Sequence, residues 1–275
     1  MTIRTFGPLV SGEWLADHLD EVRVVDVRWY VDTDRGGRSG RAAYEAGHLP
    51  GAVWLDVDTD LSDPASATAG RHPLPAPERF AGALGRVGIA AGPPVVAYDD
   101  DGGSKAARLW WMLRALGEPV AVLDGGLAAW PGTLSTDVPQ PVPVERAPRP
   151  WPSGPFVEAD DLLADGRAIY DARTAERFAH GDPAIDPRPG HVPGARSAPW
   201  GENLDATGRF RSPTELRERF AAARERGAIA YCGSGVTACH DLLAMELAGI
   251  ESTALYTGSW SQWGADPSRP AETGA

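Results

Sequence analysis

A chain of 275 residues, 43% apolar and 23% charged, is long enough for two domains that each bury a core. Its formal charge of −12, from 26 Lys+Arg against 38 Asp+Glu, argues against nucleic acid or an anionic membrane as the main partner, because both need a basic face. No apolar run approaches a membrane span and the first residues, Met-Thr-Ile-Arg-Thr-Phe, carry no signal-peptide core, so a cytoplasmic protein is expected.

In chain order, the first half opens on Val24-Val25-Asp26-Val27-Arg28, a short buried strand ending in an acid and a base. Gly47-His48-Leu49-Pro50-Gly51-Ala52 is a turn, and Val95-Val96-Ala97-Tyr98-Asp99 is a second strand. Lys105 to Leu116 has helical spacing, with Gly117 as a stop. Trp110 and Trp111 within it are expected in a core or a domain interface. Asp124-Gly125-Gly126-Leu127-Ala128-Ala129-Trp130 closes this half. Pro131 to Pro155 then holds eight prolines and no helical period, which reads as an extended linker.

The second half repeats the first in the same order. Ala168-Ile169-Tyr170-Asp171-Ala172-Arg173 corresponds to the first strand and Gly190-His191-Val192-Pro193-Gly194-Ala195 to the turn. Ala228-Ile229-Ala230-Tyr231-Cys232 corresponds to the second strand, and Thr257-Gly258-Ser259-Trp260-Ser261-Gln262-Trp263 to the closing segment. Between them, Ser212-Pro213-Thr214-Glu215 has the cap, proline and glutamate of a helix start, with Leu216, Phe220 and Ala223 on one face. Val236 to Leu247 predicts a further helix, ending near Gly249. The tail, Gly264 to Ala275, is polar and expected to fray. Strands alternating with amphipathic helices predict two α/β domains with parallel sheets. The boundaries read as 1–138, a linker over 139–154, and 155–275.

Tyr231-Cys232-Gly233-Ser234-Gly235-Val236-Thr237-Ala238 carries the most chemistry. A cysteine at a strand end, followed by two glycines and a helix start, sits over backbone N–H groups that form an anion nest. Such surroundings favour a thiolate nucleophile. Parallel sheets also bind ligands at the carboxyl ends of their strands. The other cysteine, Cys239, lies seven residues on. On one helix that is about 10 Å away, too far for a disulfide, so both thiols are expected free and Cys239 a small core residue. In the first half Asp99 takes the place of Cys232, and Asp99-Asp100-Asp101 crowds negative charge there. That half cannot do the same covalent chemistry, and its three aspartates are expected to be solvated.

The duplication, the single cysteine at the second site and the Cys-Gly-Ser-Gly-Val-Thr-Ala loop together resemble the two-domain rhodanese-like sulfurtransferases, from about Leu9 to Trp263. The loop is most similar to that of 3-mercaptopyruvate sulfurtransferases, since thiosulfate-using relatives carry basic residues where this chain has Gly233 and Ser234. The resemblance implies two tandem rhodanese-like domains, the first non-catalytic. It implies Arg177 and Arg188 as holders of a substrate carboxylate, and Gly233, Gly235, Val236 and Thr237 as the substrate-binding loop. It implies Cys232 and Ser234 as catalytic, with His72 (in Arg71-His72-Pro73-Leu74-Pro75) and Asp58, for which Asp56 or Asp60 stands in after a shift of register. The activity implied is sulfur transfer from 3-mercaptopyruvate through a Cys232 persulfide to a thiol acceptor such as thioredoxin, or to cyanide. Alternatives are a thiosulfate sulfurtransferase and a persulfide carrier without turnover.

Several residues have plainer readings. Asp26 with Arg28 and Asp171 with Arg173 recur in both halves, including the half without a nucleophile, and so read as structural, as do His48 and His191. A phosphatase loop of the Cys-X5-Arg kind needs arginine at position 238, which is Ala238. Zinc spacing, a Cys-X-X-Cys pair, a GxGxxG fingerprint and a Walker A sequence are all missing, so no metal, redox pair or nucleotide cofactor is expected.

Overall fold

The computed structural model describes residues 7–31 and 38–274; the hexapeptide read above for a signal core lies outside them. The chain falls into two compact units, one built from residues 1–61 and 75–151 and the other from 62–74 and 152–275. The loop over 62–74 thus groups with the second half of the sequence.

The first unit contains β1 (Leu9–Val10), α1 (Gly12–Asp17), β2 (Arg23–Asp26), α2 (Gly40–Ala46), β3 (Val53–Trp54), α3 (Pro77–Arg86), β4 (Val95–Tyr98), α4 (Ala106–Ala115) and β5 (Val120–Leu123). The second contains β6 (Phe156–Val157), β7 (Ala168–Asp171), α5 (Ala175–His180), β8 (Arg196–Ser197), α6 (Pro213–Arg219), β9 (Ala228–Tyr231), α7 (Ala238–Leu247), β10 (Thr253–Tyr256) and α8 (Ser259–Trp263). Among the described residues each unit has one sheet of five parallel strands, ordered β1-β5-β4-β2-β3 and β6-β10-β9-β7-β8.

The central strands are short and apolar without alternation because helices cover both faces. Val95–Tyr98 and Ala228–Tyr231 are buried at every position. The helices that follow them are buried nearly all round: α4 buries both Trp110 and Trp111, and α7 buries eight consecutive residues from Ala238 to Met245. Helix α6 starts with the full capping box, Ser212 and Glu215 bonding reciprocally, and it buries Leu216.

The repeat is visible bond by bond. Arg28 grips Asp26 through Nε and Nη2 and donates to Gly47 O at 2.7 Å; Arg173 grips Asp171 likewise and donates to Gly190 O at 2.8 Å. The Tyr98 hydroxyl accepts Leu49 N–H at 3.1 Å, and the Tyr231 hydroxyl accepts Val192 N–H at 3.1 Å. Both ion pairs are buried and tie a strand end to the Gly-His turn, which is a structural duty. The two turn histidines do the same: His48 lies 2.8 Å from Tyr44 O and His191 lies 3.1 Å from Phe178 O.

Two expectations are corrected. The tail does not fray over its described length: Glu272 bridges His191 in antiparallel fashion, Trp263 Nε1 donates to Pro270 O at 2.7 Å, and Gly274 N–H reaches Ala179 O at 3.1 Å. Polar composition missed this because the bonds use backbone carbonyls. Asp99 is not solvated but fully buried, and its carboxylate accepts the N–H groups of Asp101, Gly103, Lys105 and Ala106 at 2.8–2.9 Å. The Pro-rich strap is pinned to the first unit, with Val144 N–H on Gly85 O at 2.9 Å and Trp151 Nε1 on Pro75 O at 2.8 Å. Among the described residues, no helix is long and apolar enough to cross a membrane.

Candidate active site

Strand β9 delivers Cys232 to the carboxyl edge of the second sheet, and the loop 232–237 turns into α7. Gly235 makes that turn with φ +79°, and a Cβ there would lie 2.4 Å from Thr257 O, so no other residue fits. The turn aims the Gly235 N–H at Cys232 Sγ, 3.1 Å away. That N–H is a hydrogen-bond donor set on the sulfur just before a helix begins.

The first unit shows what this loop is built to hold. At the position equivalent to Cys232, the Asp99 carboxylate fills its own loop and takes four backbone N–H donors. Burial pushes that carboxyl above its ordinary value, opposed by Lys105 and the same N–H groups. One copy of the fold therefore holds a carboxyl group of its own under the loop's donors, and the other presents a thiol in its place.

The closing segment of the second repeat holds the loop from behind. Trp260 N–H donates to Cys232 O and Ser261 N–H to Gly233 O, each at 2.9 Å, as Leu127 N–H donates to Asp99 O at 2.7 Å. Ser259 Oγ accepts the Cys232 N–H at 3.1 Å. Ser259 has φ +52°, where its counterpart in the first unit, Gly126, has φ +57°. A non-glycine residue there costs about 1–2 kcal/mol, and the serine hydroxyl it gains bonds the Cys232 backbone.

Cys232 is only 1% exposed. The burial is deeper than a strand-end position suggests, and polar side chains stand close by. Ser234, next but one in the chain, has its Oγ 2.8 Å from His72 Nδ1, both residues being buried. Around Gly233, whose missing Cβ would lie 2.9 Å from each, stand Arg177 Nη2 and Arg71 Nη2. Arg177 is held in place by Asp186, with Nη2 to Oδ1 at 2.6 Å and Nε to Oδ2 at 3.1 Å.

Cys232, Gly233, Ser234, Gly235, His72 and Arg177 are thus brought together, within the second unit. Val236 and Thr237 lie in the same loop, where their carbonyls accept from Cys239 and His240 as α7 begins. Arg188 Nη2 donates to Arg269 O at 2.7 Å, and its guanidinium lies 5.8 Å from the Trp260 ring. Asp58 belongs to the first unit, where its carboxylate accepts Trp29 Nε1 at 2.8 Å. Cys239 is a fully buried free thiol, 3.5 Å from Gly235 O.

Sequence reasoning missed Arg71, Asp186 and Ser259. Arg71 directly precedes the histidine of the recognised motif, yet only the fold turns it toward Gly233. Among the described residues no cluster of three or more His, Cys, Asp or Glu side chains is placed to hold a metal ion.

The rhodanese-like domain model matches residues 11–133 and again 156–266. The chain is 42% identical over 283 residues to a probable 3-mercaptopyruvate sulfurtransferase of Pseudomonas aeruginosa, covering 97% of this chain and 98% of that one. It is 37% identical over 266 residues to a putative thiosulfate sulfurtransferase of Mycobacterium tuberculosis, covering 93% and 92%. The crystal structure of SseA from Escherichia coli, a 3-mercaptopyruvate sulfotransferase with the rhodanese fold, superposes with a TM-score of 0.82 at 34% identity, covering 93% of this chain and all of that one. Matched in both halves, and similar over nearly its whole length to sulfurtransferases, this chain belongs to the rhodanese-like family.

Proposed function

We propose that the protein is a sulfurtransferase that takes sulfur from 3-mercaptopyruvate, holds it as a persulfide on Cys232 and passes it to a thiol. The observation that carries this reading is the Gly235 N–H on Cys232 Sγ at 3.1 Å beside the Ser234–His72 hydrogen bond at 2.8 Å. One group donates to the attacking sulfur; the pair beside it can move a proton.

The chemistry balances as follows. The Cys232 thiolate attacks the donor's sulfur, an S–S bond forms, and the C–S bond breaks with its electron pair left on carbon. The leaving group is pyruvate enolate, which takes a proton to become pyruvate. Ser234, hydrogen-bonded to His72, supplies that proton or steadies the enolate oxygen. An acceptor thiolate then attacks the outer sulfur and restores the Cys232 thiolate. Arg177 holds the donor's carboxylate end, with Asp186 fixing its guanidinium plane. The acceptor is a thiol, with a thioredoxin-type protein dithiol fitting the second step, and free cysteines with an acidic surface suit the reducing cytoplasm.

The test is intact mass after donor treatment, together with pyruvate release in the presence of a small thiol. Wild type gains one sulfur, reversibly by reductant, and releases pyruvate; Cys232→Ser does neither. Pyruvate released by Cys232→Ser at the wild-type rate would falsify the assignment. A second reading, thiosulfate as donor, is favoured by one observation: two guanidinium groups stand beside Gly233, supplying the cations that the loop itself lacks. Steady-state kinetics with both donors separates the two.

A further inference from the structure

Two guanidinium groups converge on one point of the nucleophile loop, and both are anchored to a single neighbouring segment. Arg177 is gripped by Asp186 through Nε and Nη2, at 3.1 and 2.6 Å. Arg71 donates Nη1 to the carbonyl of the preceding residue, Ile185, at 2.6 Å, and its backbone N–H is fixed by Ser261 Oγ at 3.0 Å. The Nη2 atoms of both arginines lie 2.9 Å from where a Gly233 Cβ would be. Each cation is thus anchored to the 185–186 segment and brings its Nη2 against Gly233.

The charges around that space do not cancel. Among the described side chains of this cluster, Arg71, Arg173 and Arg177 face two carboxylates, Asp171 and Asp186. Burial, and next the like charge of Arg177, hold the Arg71 guanidinium below its ordinary pKa, while Cys232 acts in the opposite sense. Two like charges brought against one glycine leave an excess of positive charge that suits an anion. Arg71 also lines a surface depression of about 390 Å³, with Gly70, Ile185, Asp186 and Ser261.

We infer that Arg71 is the second arm of the donor-binding clamp: with Arg177 it holds the anionic end of the sulfur donor, a compact carboxylate, over Gly233. Arg188, engaged with Arg269 O and Trp260, is not needed for that contact. The inference rests on the mercaptopyruvate reading and adds a specificity residue to it. It also explains the glycine: any side chain at 233 occupies the clamp. A planar fork can bind a carboxylate bidentately, so lysine at 71 keeps the charge and loses part of the geometry.

The experiment uses the full chain with dithiothreitol as acceptor and sulfide release as the readout. Two donors are compared, 3-mercaptopyruvate and the uncharged mercaptoacetone, which shares the ketone and thiol but lacks the carboxylate. Arg71→Met is expected to raise KM for mercaptopyruvate by about tenfold or more with kcat changed less than about threefold, as for loss of a charged hydrogen bond. Its kcat/KM on mercaptoacetone stays at the wild-type level, which also shows that the variant folds. Arg71→Lys recovers part of the loss. Gly233→Ala, which retains both arginines but puts a methyl group between them, raises the same KM.

An Arg71→Met enzyme whose KM for mercaptopyruvate stays within about twofold of wild type overturns the inference. So does one that loses equally on both donors. Should wild type release sulfide from thiosulfate but not from mercaptopyruvate, the donor assignment falls, and the clamp is judged by the same criterion on the thiosulfate KM.

Discussion

Asp241 sits in the middle of α7, fully buried, with one carboxylate oxygen accepting Asn203 Nδ2 at 2.7 Å and the other without a partner. Burial pushes its pKa up to about 8, with Asn203 and Arg219 acting against the shift. The native protein therefore carries this residue neutral near pH 7. The sign follows from linkage. Below the ordinary value of 3.8 the carboxyl is protonated in both states and contributes no pH dependence. Between that value and about 8 only the unfolded chain ionises, so stability falls by about 1.4 kcal/mol per pH unit, and the loss levels off once the native carboxyl ionises too.

Asp241→Asn replaces the neutral acid with a neutral amide that can still accept from Asn203. Between pH 5 and pH 7 the variant should gain on wild type by about 3 kcal/mol. In thermal unfolding that is a widening Tm gap on the order of 5–10 °C. His240, Arg219, Asp171 and Glu202, the charged or titratable groups nearby, are the same in both proteins and cancel in the difference. Thermal melts of both at pH 5, 6 and 7 make the measurement. Parallel Tm curves over that range would refute the reasoning, because they would mean that Asp241 ionises natively as it does in the unfolded chain.

Gly235→Ala combines a left-handed backbone with a Cβ 2.4 Å from Thr257 O, so it should displace the loop, abolish sulfur uptake and lower Tm; uptake of one sulfur by mass, with an unchanged melt, would contradict this. Ser212→Ala removes the reciprocal cap of α6, far from the nucleophile in sequence. It should cost about 1 kcal/mol in denaturant unfolding, with kcat/KM retained.

The repeat and the cysteine loop were legible in one dimension because both rest on local chemistry. A strand end with Asp-X-Arg in both halves announces a structural role, though not the buried ion pair that the fold makes of it, and Cys-Gly-Ser-Gly announces a turn that only glycine can make. Capping at Ser212 was readable for the same reason, since its partners lie within one helical turn. Asp99 was readable as a break in the pattern but not in its role. Sequence showed three acids in a row; the fold showed one of them buried under four N–H donors while its neighbours face outward.

What only tertiary structure decided is where the long arginine side chains point. Arg188 lies in a motif that resemblance ties to a carboxylate, yet its guanidinium is drawn to a carbonyl at position 269 and the Trp260 ring. Arg71 comes from a loop more than 150 residues before Cys232, and a hydrogen bond to Ile185 O sets its direction. Backbone pattern determines where strands end and turns tighten, because those preferences act between neighbours. Where a long charged side chain points depends on which distant carbonyls and carboxylates the packed chain brings within reach, and no sequence interval encodes that distance.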